Sequence, residues 1–240
     1  MLAAIRSLLF NTFFFVWSAL IIATGWILLP FPRRVLRAHI GMWPKLNFPM
    51  MRWLVGTRFE VRGRENIPNE PVIFAAKHQS AWDTMFFLWL DPANAYIMKA
   101  ELARIPLWGW YMRRCVHIMV DRAGGAGTMR EMMRETKAVL ADGRSVVIFP
   151  EGTRTAPGIT GTYHPGVAAL YGLNGAKVVP VALNSGLFWP RRSFLKKPGT
   201  IVIEFLEPMP AGLKRDVFLA ELQSRVEAAT RRLENEAQIG

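Results

Sequence analysis

The sequence predicts an α/β protein: a mainly parallel central sheet flanked by helices, with an N-terminal membrane-anchoring helix or helix pair. Three observations predict it. From residue 57 onward, short apolar runs of strand character alternate with helical runs, which is the pattern of βα units. Residues 7–30 carry no charged side chain. The length of 240 residues, 51% of them hydrophobic, supplies one good-sized core plus an anchor, while a mean hydropathy of +0.16 is too low for a multi-span protein.

The anchor comes first. Residues 7–30 are apolar on all sides, and about 20 such residues span a hydrocarbon core. Trp26 sits near the end of the run, where an interfacial indole is favoured. Arg33, Arg34 and Arg37 follow at once, against Arg6 before it, so the positive-inside rule puts the bulk of the chain on the cytoplasmic face of the cell membrane. A cleaved signal peptide is the rival. The run is long for its apolar region, and no clear small-x-small site ends it. Spanning the bilayer and lying in one leaflet both remain open. Residues 42–55 mix Trp43, Phe48 and Trp53 with Lys45 and Arg52, as an interfacial segment does, and Pro44 and Pro49 predict irregularity. Residues 1–56 thus form the expected anchor and residues 57–240 the expected α/β domain.

Within that domain the strand candidates are 58–62, 72–76, 95–98, 115–120, 145–149, 178–183 and 200–205. The helix candidates are 82–90, 107–112, 128–141, 167–173 and 217–234, with Asp142-Gly143 a sound stop for the third. Gly124-Gly125-Ala126-Gly127 reads as a turn, since it lacks both a dinucleotide fingerprint and a Walker lysine. A formal charge of +12 points to a polyanionic partner. The loop 187–197, with Phe188, Trp189, Arg191, Arg192, Phe194, Lys196 and Lys197, suits an anionic lipid surface or single-stranded nucleic acid, or is simply a solvated loop. The apolar anchor, and the absence of a helix-turn-helix or zinc-finger signature, favour the membrane over nucleic acid. Cys115 is the one cysteine, so no intramolecular disulfide forms; with His117 it permits a Cys–His pairing, against the alternative of a buried small hydrophobe beside an incidental histidine.

Two clusters carry chemistry. In Lys77-His78-Gln79-Ser80-Ala81-Trp82-Asp83, a histidine and a carboxylate are separated by four residues directly after a strand candidate. On one continuous helix they would lie about 140° apart and never meet. They meet if His78 occupies the turn after the strand and Asp83 the first helical turn. Ser80 supports this as an N-cap, with Asp83 at N3. Asp83 then either only completes a capping box, or also orients His78 as a general base for an attacking hydroxyl. No Gly-x-Ser-x-Gly elbow supplies an enzyme nucleophile, and no ligand-spaced cluster suggests a metal. The second cluster, Phe149-Pro150-Glu151-Gly152-Thr153-Arg154, also follows a strand candidate. Gly152 and Thr153 can turn backbone N–H groups toward an anion, and Arg154 offers a planar fork. The alternative is a structural Glu–Arg pair.

Taken in order along the chain, these blocks resemble the 1-acylglycerol-3-phosphate acyltransferases. The resemblance rests on His78 to Asp83; on Lys99-Ala100-Glu101-Leu102 with Ile105-Pro106 and Gly109; on Val120-Asp121-Arg122; on Phe149 to Arg154; and on Val179-Pro180-Val181-Ala182-Leu183. It covers roughly residues 61–205. Lys77 departs from it, standing where the family often has Asn. The resemblance implies transfer of a fatty acyl group to the sn-2 hydroxyl of lysophosphatidate, giving phosphatidate. His78 would be the base and Asp83 its orienting partner. Lys99, Arg122, Glu151, Gly152, Thr153 and Arg154 would form the phosphate site, and Pro180 would shape the acyl-donor side. It implies no bound cofactor, only an acyl-CoA or acyl carrier protein thioester as co-substrate. A related acceptor, such as a lyso-ornithine lipid or another lysophospholipid, is the alternative.

Overall fold

Seven strands form one sheet in the order β1-β7-β6-β2-β5-β3-β4. The computed structural model describes residues 1–115, 117–121 and 125–239. The strands are β1 (Thr57–Arg62), β2 (Ile73–Ala76), β3 (Ala95–Lys99), β4 (Ile118–Val120), β5 (Val146–Ile148), β6 (Val178–Leu183) and β7 (Gly199–Phe205). Pairing is parallel throughout except between β6 and β7. The helices are α1 (Leu2–Ile27), α2 (Arg33–Leu54), α3 (Ala81–Leu90), α4 (Trp108–Arg114), α5 (Gly125–Ala141), α6 (Gly166–Leu170) and α7 (Arg215–Ile239).

The central strand β2 reads Ile-Phe-Ala-Ala and every residue is buried. A continuous apolar run of this kind marks a parallel strand covered on both faces. β5 (Val-Val-Ile) and β6 lie on either side of it and are buried throughout. The chain leaves β2, crosses to β3 by way of α3, and only later inserts β5 between them. Segments leaving the carboxyl ends of β2 and β5 are therefore neighbours, and that is where an open α/β sheet builds its sites.

Helix α3 starts where its sequence dictates. The Ser80 side chain accepts the Trp82 N–H at 3.2 Å, and the Asp83 side chain accepts the Ser80 N–H at 2.8 Å, closing a capping box. The buried face of α3 then packs Trp82 and Phe86 against Phe59 of β1, and Trp82 stacks on Phe48 of α2. Each such pair contributes about 0.5–1.5 kcal/mol beyond its burial.

The expected anchor is not a separate layer. Phe10, Ile21, Leu36, Ile40, Phe48 and Met51 of α1 and α2 share one hydrophobic cluster with Phe74, Trp82, Phe86 and Phe205. Against the expected irregularity, α2 is continuous from Arg33 to Leu54 with Pro44 and Pro49 inside it. The Asn47 side chain donates to the Trp43 carbonyl at 2.9 Å. Of the expected glycine turn at 124–127, residues 125–127 lie in α5, which begins at Gly125 with a φ of 59° that suits glycine, and residue 124 lies outside the described residues. Cys115 and His117 do not pair as reactive groups. Cys115 ends α4, where burial pushes its thiol up to about 12. His117 Nδ1 accepts the Tyr96 N–H at 3.1 Å.

Candidate active site

His78 sits in the turn between β2 and α3, and its Nδ1 donates to Asp83 Oδ2 at 2.9 Å. The carboxylate can only accept, so this contact fixes the proton on Nδ1 and leaves Nε2 free to take one. Asp83 Oδ2 also accepts the backbone N–H groups of Gln79 at 2.7 Å and Ser80 at 2.8 Å. Asp83 Oδ1 accepts the Ser185 hydroxyl at 2.5 Å. Asp83 is fully buried, while the His78 side chain keeps 15% exposure. The capping role and the orienting role are therefore filled by the same carboxylate. The imidazole also lies flat on Phe149, with ring centroids 3.9 Å apart and planes 16° apart. That stacking follows directly from β2 and β5 being neighbours.

A buried polar network holds this turn from behind. Lys77 Nζ donates to Glu151 Oε1 and Glu227 Oε1, each at 2.7 Å, and to the Ile159 carbonyl at 3.1 Å. Glu151 Oε2 accepts the His78 N–H at 3.0 Å, and Thr155 N donates to the His78 carbonyl at 2.8 Å. Gln79 donates to Glu234 at 2.7 Å and accepts the Gly186 N–H at 3.0 Å. Glu227 and Glu234 are two turns apart on α7, so one helix face grips both residues that flank His78.

In front of His78 lies a cleft of about 270 Å³ lined by cations Lys99, Arg154 and Arg191, with Gly152, Thr153 and Phe149 between them. Among the described residues no Asp or Glu lines it. Burial and then Arg191 lower the pKa of Arg154, which the charge of Asp83 only partly offsets. Ile97, Met98, Phe149 and Gly152 also line a larger chamber of about 570 Å³, whose remaining walls include Met129, Met132, Ile148 and Val167. A cationic cleft and an apolar chamber thus open on either side of shared walls.

The structure sorts the residues that the sequence nominated. His78 and Asp83 meet. Lys99, Gly152, Thr153 and Arg154 come together at the cleft, with Gly152 at a φ of 62°. Glu151 does not reach it; its carboxylate turns inward to Lys77 because the loop needs an acceptor for that buried ammonium. Pro180 lies within β6, where its carbonyl accepts the Leu206 N–H at 2.9 Å, and it lines neither cavity. Arg122 lies outside the described residues. Ser185, Arg191, Glu227 and Glu234 were not nominated; only a fold places them here.

A histidine–carboxylate pair at a cationic cleft, which shares walls with an apolar chamber, suits an enzyme that moves apolar groups onto anionic acceptors. A sequence model of the acyltransferase family matches residues 58–184, more than half of the chain, and the chain belongs to that family. Among its relatives, the 1-acyl-sn-glycerol-3-phosphate acyltransferase of Pseudomonas aeruginosa is 35% identical over 229 residues, covering 94% of this chain and 88% of that protein. The protein of the same name from Limnanthes alba is 28% identical over 198 residues, covering 79% and 69%. The chain thus stands among the 1-acyl-sn-glycerol-3-phosphate acyltransferases. The crystal structure of the 1-acyl-sn-glycerophosphate acyltransferase PlsC from Thermotoga maritima shares the fold, with a TM-score of 0.76 at 23% identity over 96% of this chain and 98% of that one.

Proposed function

We propose that the chain transfers a fatty acyl group from an acyl thioester to the sn-2 hydroxyl of 1-acylglycerol-3-phosphate, forming phosphatidate, with His78 as general base. The observation that carries this reading is the 2.9 Å bond from His78 Nδ1 to Asp83, beside a cleft lined with cations and, among the described residues, free of carboxylates. The acceptor phosphate docks on Arg154 and Lys99, with Gly152 and Thr153 shaping the site. His78 Nε2 takes the proton of the sn-2 hydroxyl as its oxygen attacks the thioester carbonyl. The tetrahedral species collapses, the C–S bond breaks, and the thiolate recovers the proton from the imidazolium. Asp83 holds the tautomer and stabilises that imidazolium. The acyl chain lies in the apolar chamber, and the donor is acyl-CoA or acyl carrier protein.

The N-terminal helix places this chemistry at a lipid surface. α1 is long and apolar enough to cross a membrane. It is nonetheless stitched to the rest of the chain along its length. Arg6 donates to the Leu54 carbonyl at 2.6 Å, Asn11 to Phe194 at 2.9 Å and Trp17 to Trp43 at 3.3 Å, and Arg114 donates to Leu29 at 3.3 Å just beyond the helix. A helix bound to the catalytic domain near both ends would carry that domain into the hydrocarbon if it spanned. On this reading it lies in one leaflet with Leu8, Leu9, Phe15, Val16, Leu20 and Trp26 toward lipid, and Arg33, Arg34 and Arg37 favour the cytoplasmic face. The +12 charge serves an anionic membrane surface rather than nucleic acid.

The test is acyl transfer by the purified, detergent-solubilised protein, with labelled acyl-CoA and acyl carrier protein offered in turn. Lysophosphatidate is run beside a lyso-ornithine lipid. Phosphatidate formation is expected; transfer to the ornithine lipid alone, or to neither acceptor, contradicts the reading.

A further inference from the structure

Arg191 lies in the loop between β6 and β7, outside both clusters that mark the site in the sequence. It nonetheless lines the same cleft as His78, Lys99 and Arg154. Its Nη1 donates to the Arg154 carbonyl at 3.1 Å, which tethers one arm of the guanidinium and leaves the other N–H groups available.

The loop that carries Arg191 is held in place. Two residues earlier, Trp189 is 7% exposed and packs edge-on against Phe10 and Phe14 of α1, at 5.3 and 5.2 Å between ring centroids. The Lys197 N–H closes the loop on the Phe188 carbonyl at 2.8 Å. Between them Arg192 adopts a left-handed φ of 58°, which turns the chain sharply just after Arg191. At the near end of the same loop, Ser185 holds Asp83. One segment therefore ties α1, the catalytic carboxylate and Arg191 together.

Charge says what the cleft lacks. Arg191 and Arg154 lie close enough for Arg191 to lower the pKa of Arg154, and no ion pair to a carboxylate among the described residues compensates either. Two guanidiniums held together, with no salt bridge to either among the described residues and with Asp83 offsetting only part of their repulsion, favour an anion between them. A phosphate monoester near neutral pH carries about −1.5 to −2 charges and three acceptor oxygens, which suits two forks.

We propose that Arg191 is a second phosphate-binding residue, which together with Arg154 clamps the acceptor's phosphate monoester and selects phosphate-bearing acceptors over uncharged ones. This rests on the lysophosphatidate reading above and adds a residue to it. The donor's phosphates are the competing source of the same chemistry. In the acceptor, only a few bonds separate the phosphate from the hydroxyl that must reach His78, which matches a single small cleft. In acyl-CoA the whole pantetheine arm lies between the thioester and the nearest phosphate, so those phosphates fall farther from His78.

Steady-state kinetics of the full chain test the inference, with lysophosphatidate and acyl-CoA varied separately for wild type, Arg191→Ala and Arg191→Lys. Glycerol 3-phosphate serves as a soluble competitor. Arg191→Ala is expected to raise the KM for lysophosphatidate about tenfold or more, as losing a charge-assisted bond does, and to weaken glycerol 3-phosphate inhibition in parallel. The KM for acyl-CoA is expected to stay within about twofold. Arg191→Lys should recover part of the loss, because it keeps the charge but not the fork. Thermal melting of each variant checks the fold. An unchanged acceptor KM in a folded Arg191→Ala protein overturns the inference and leaves the lysophosphatidate reading standing, as does a rise confined to the acyl-CoA KM. Failure of the wild type to acylate lysophosphatidate overturns both.

Discussion

Lys77 Nζ lies 2.7 Å from Glu227 Oε1, although 150 residues separate the two along the chain. The same ammonium lies 2.7 Å from Glu151, whose other oxygen accepts the His78 N–H. All three ionic side chains are at most 5% exposed. One buried cation thus joins the turn after β2, the loop after β5 and the last helix, and His78, the proposed base, is the residue next to it.

The charges predict an asymmetry. Lys77→Met strands two buried carboxylates and is expected to cost about 3–5 kcal/mol, as breaking a buried ion pair does. Glu227→Gln leaves a neutral Lys77–Glu151 pair and an amide oxygen for Lys77, so it should cost about 1 kcal/mol. Urea unfolding in detergent compares the two. Equal costs, or the reverse order, would show that the cluster is not what fixes the turn.

Ser185 donates to the one Asp83 oxygen that the His78 turn does not use. Ser185→Ala is expected to lower kcat about tenfold while leaving the KM for lysophosphatidate in place, since the hydroxyl supports the carboxylate and does not face the cleft. The kcat and KM values, measured separately, decide it. A change confined to KM would mean that Ser185 acts on the acceptor.

His117 sets part of the acid limit of stability. Burial, with Arg144 and Arg37 nearby, lowers its pKa from 6.5 to about 3, and its Nδ1 must stay unprotonated to accept the Tyr96 N–H. The unfolded chain binds the proton first, so this contribution is complete above about 6.5 and declines as pH falls toward about 3. The slope reaches about 1.4 kcal/mol per pH unit. His117→Asn keeps a short acceptor without the titration and should flatten stability across that window. Parallel slopes for the two proteins would remove His117 from the account.

The exposed face of α1 is expected to carry the protein onto lipid. Phe15 and Leu20 are 67% and 49% exposed there. Phe15→Glu with Leu20→Glu should reduce partitioning into vesicles containing anionic lipid by about tenfold or more. Vesicle sedimentation measures this, and undiminished binding would place the contact elsewhere.

Much of this architecture is legible in the sequence because it depends on local signals. All seven strands overlap strand-like runs of the sequence, and Ser80 with Asp83 marks the start of α3, the placement under which His78 and Asp83 can meet. What escapes depends on direction and distance. Glu151 and Arg154 share one short motif, and spacing alone does not reveal that one turns inward to Lys77 and the other lines the cleft. Glu227 and Glu234 look like the solvated charges of any long helix until α7 is laid across the His78 turn. Arg191 reads as part of a basic, aromatic surface loop, and only the buried Trp189 beside it turns that loop toward the site. Pro44 and Pro49 suggest a broken segment, whereas packing against α3 and β1 keeps α2 continuous.

The most direct test of the central claim compares His78→Ala with wild type in single-turnover transfer from labelled acyl-CoA to lysophosphatidate. With the fold verified and acceptor binding intact, the rate of phosphatidate formation is expected to fall by about 10²–10⁴. A folded His78→Ala protein that still forms phosphatidate at a rate near that of wild type would contradict the assignment of His78 as the base.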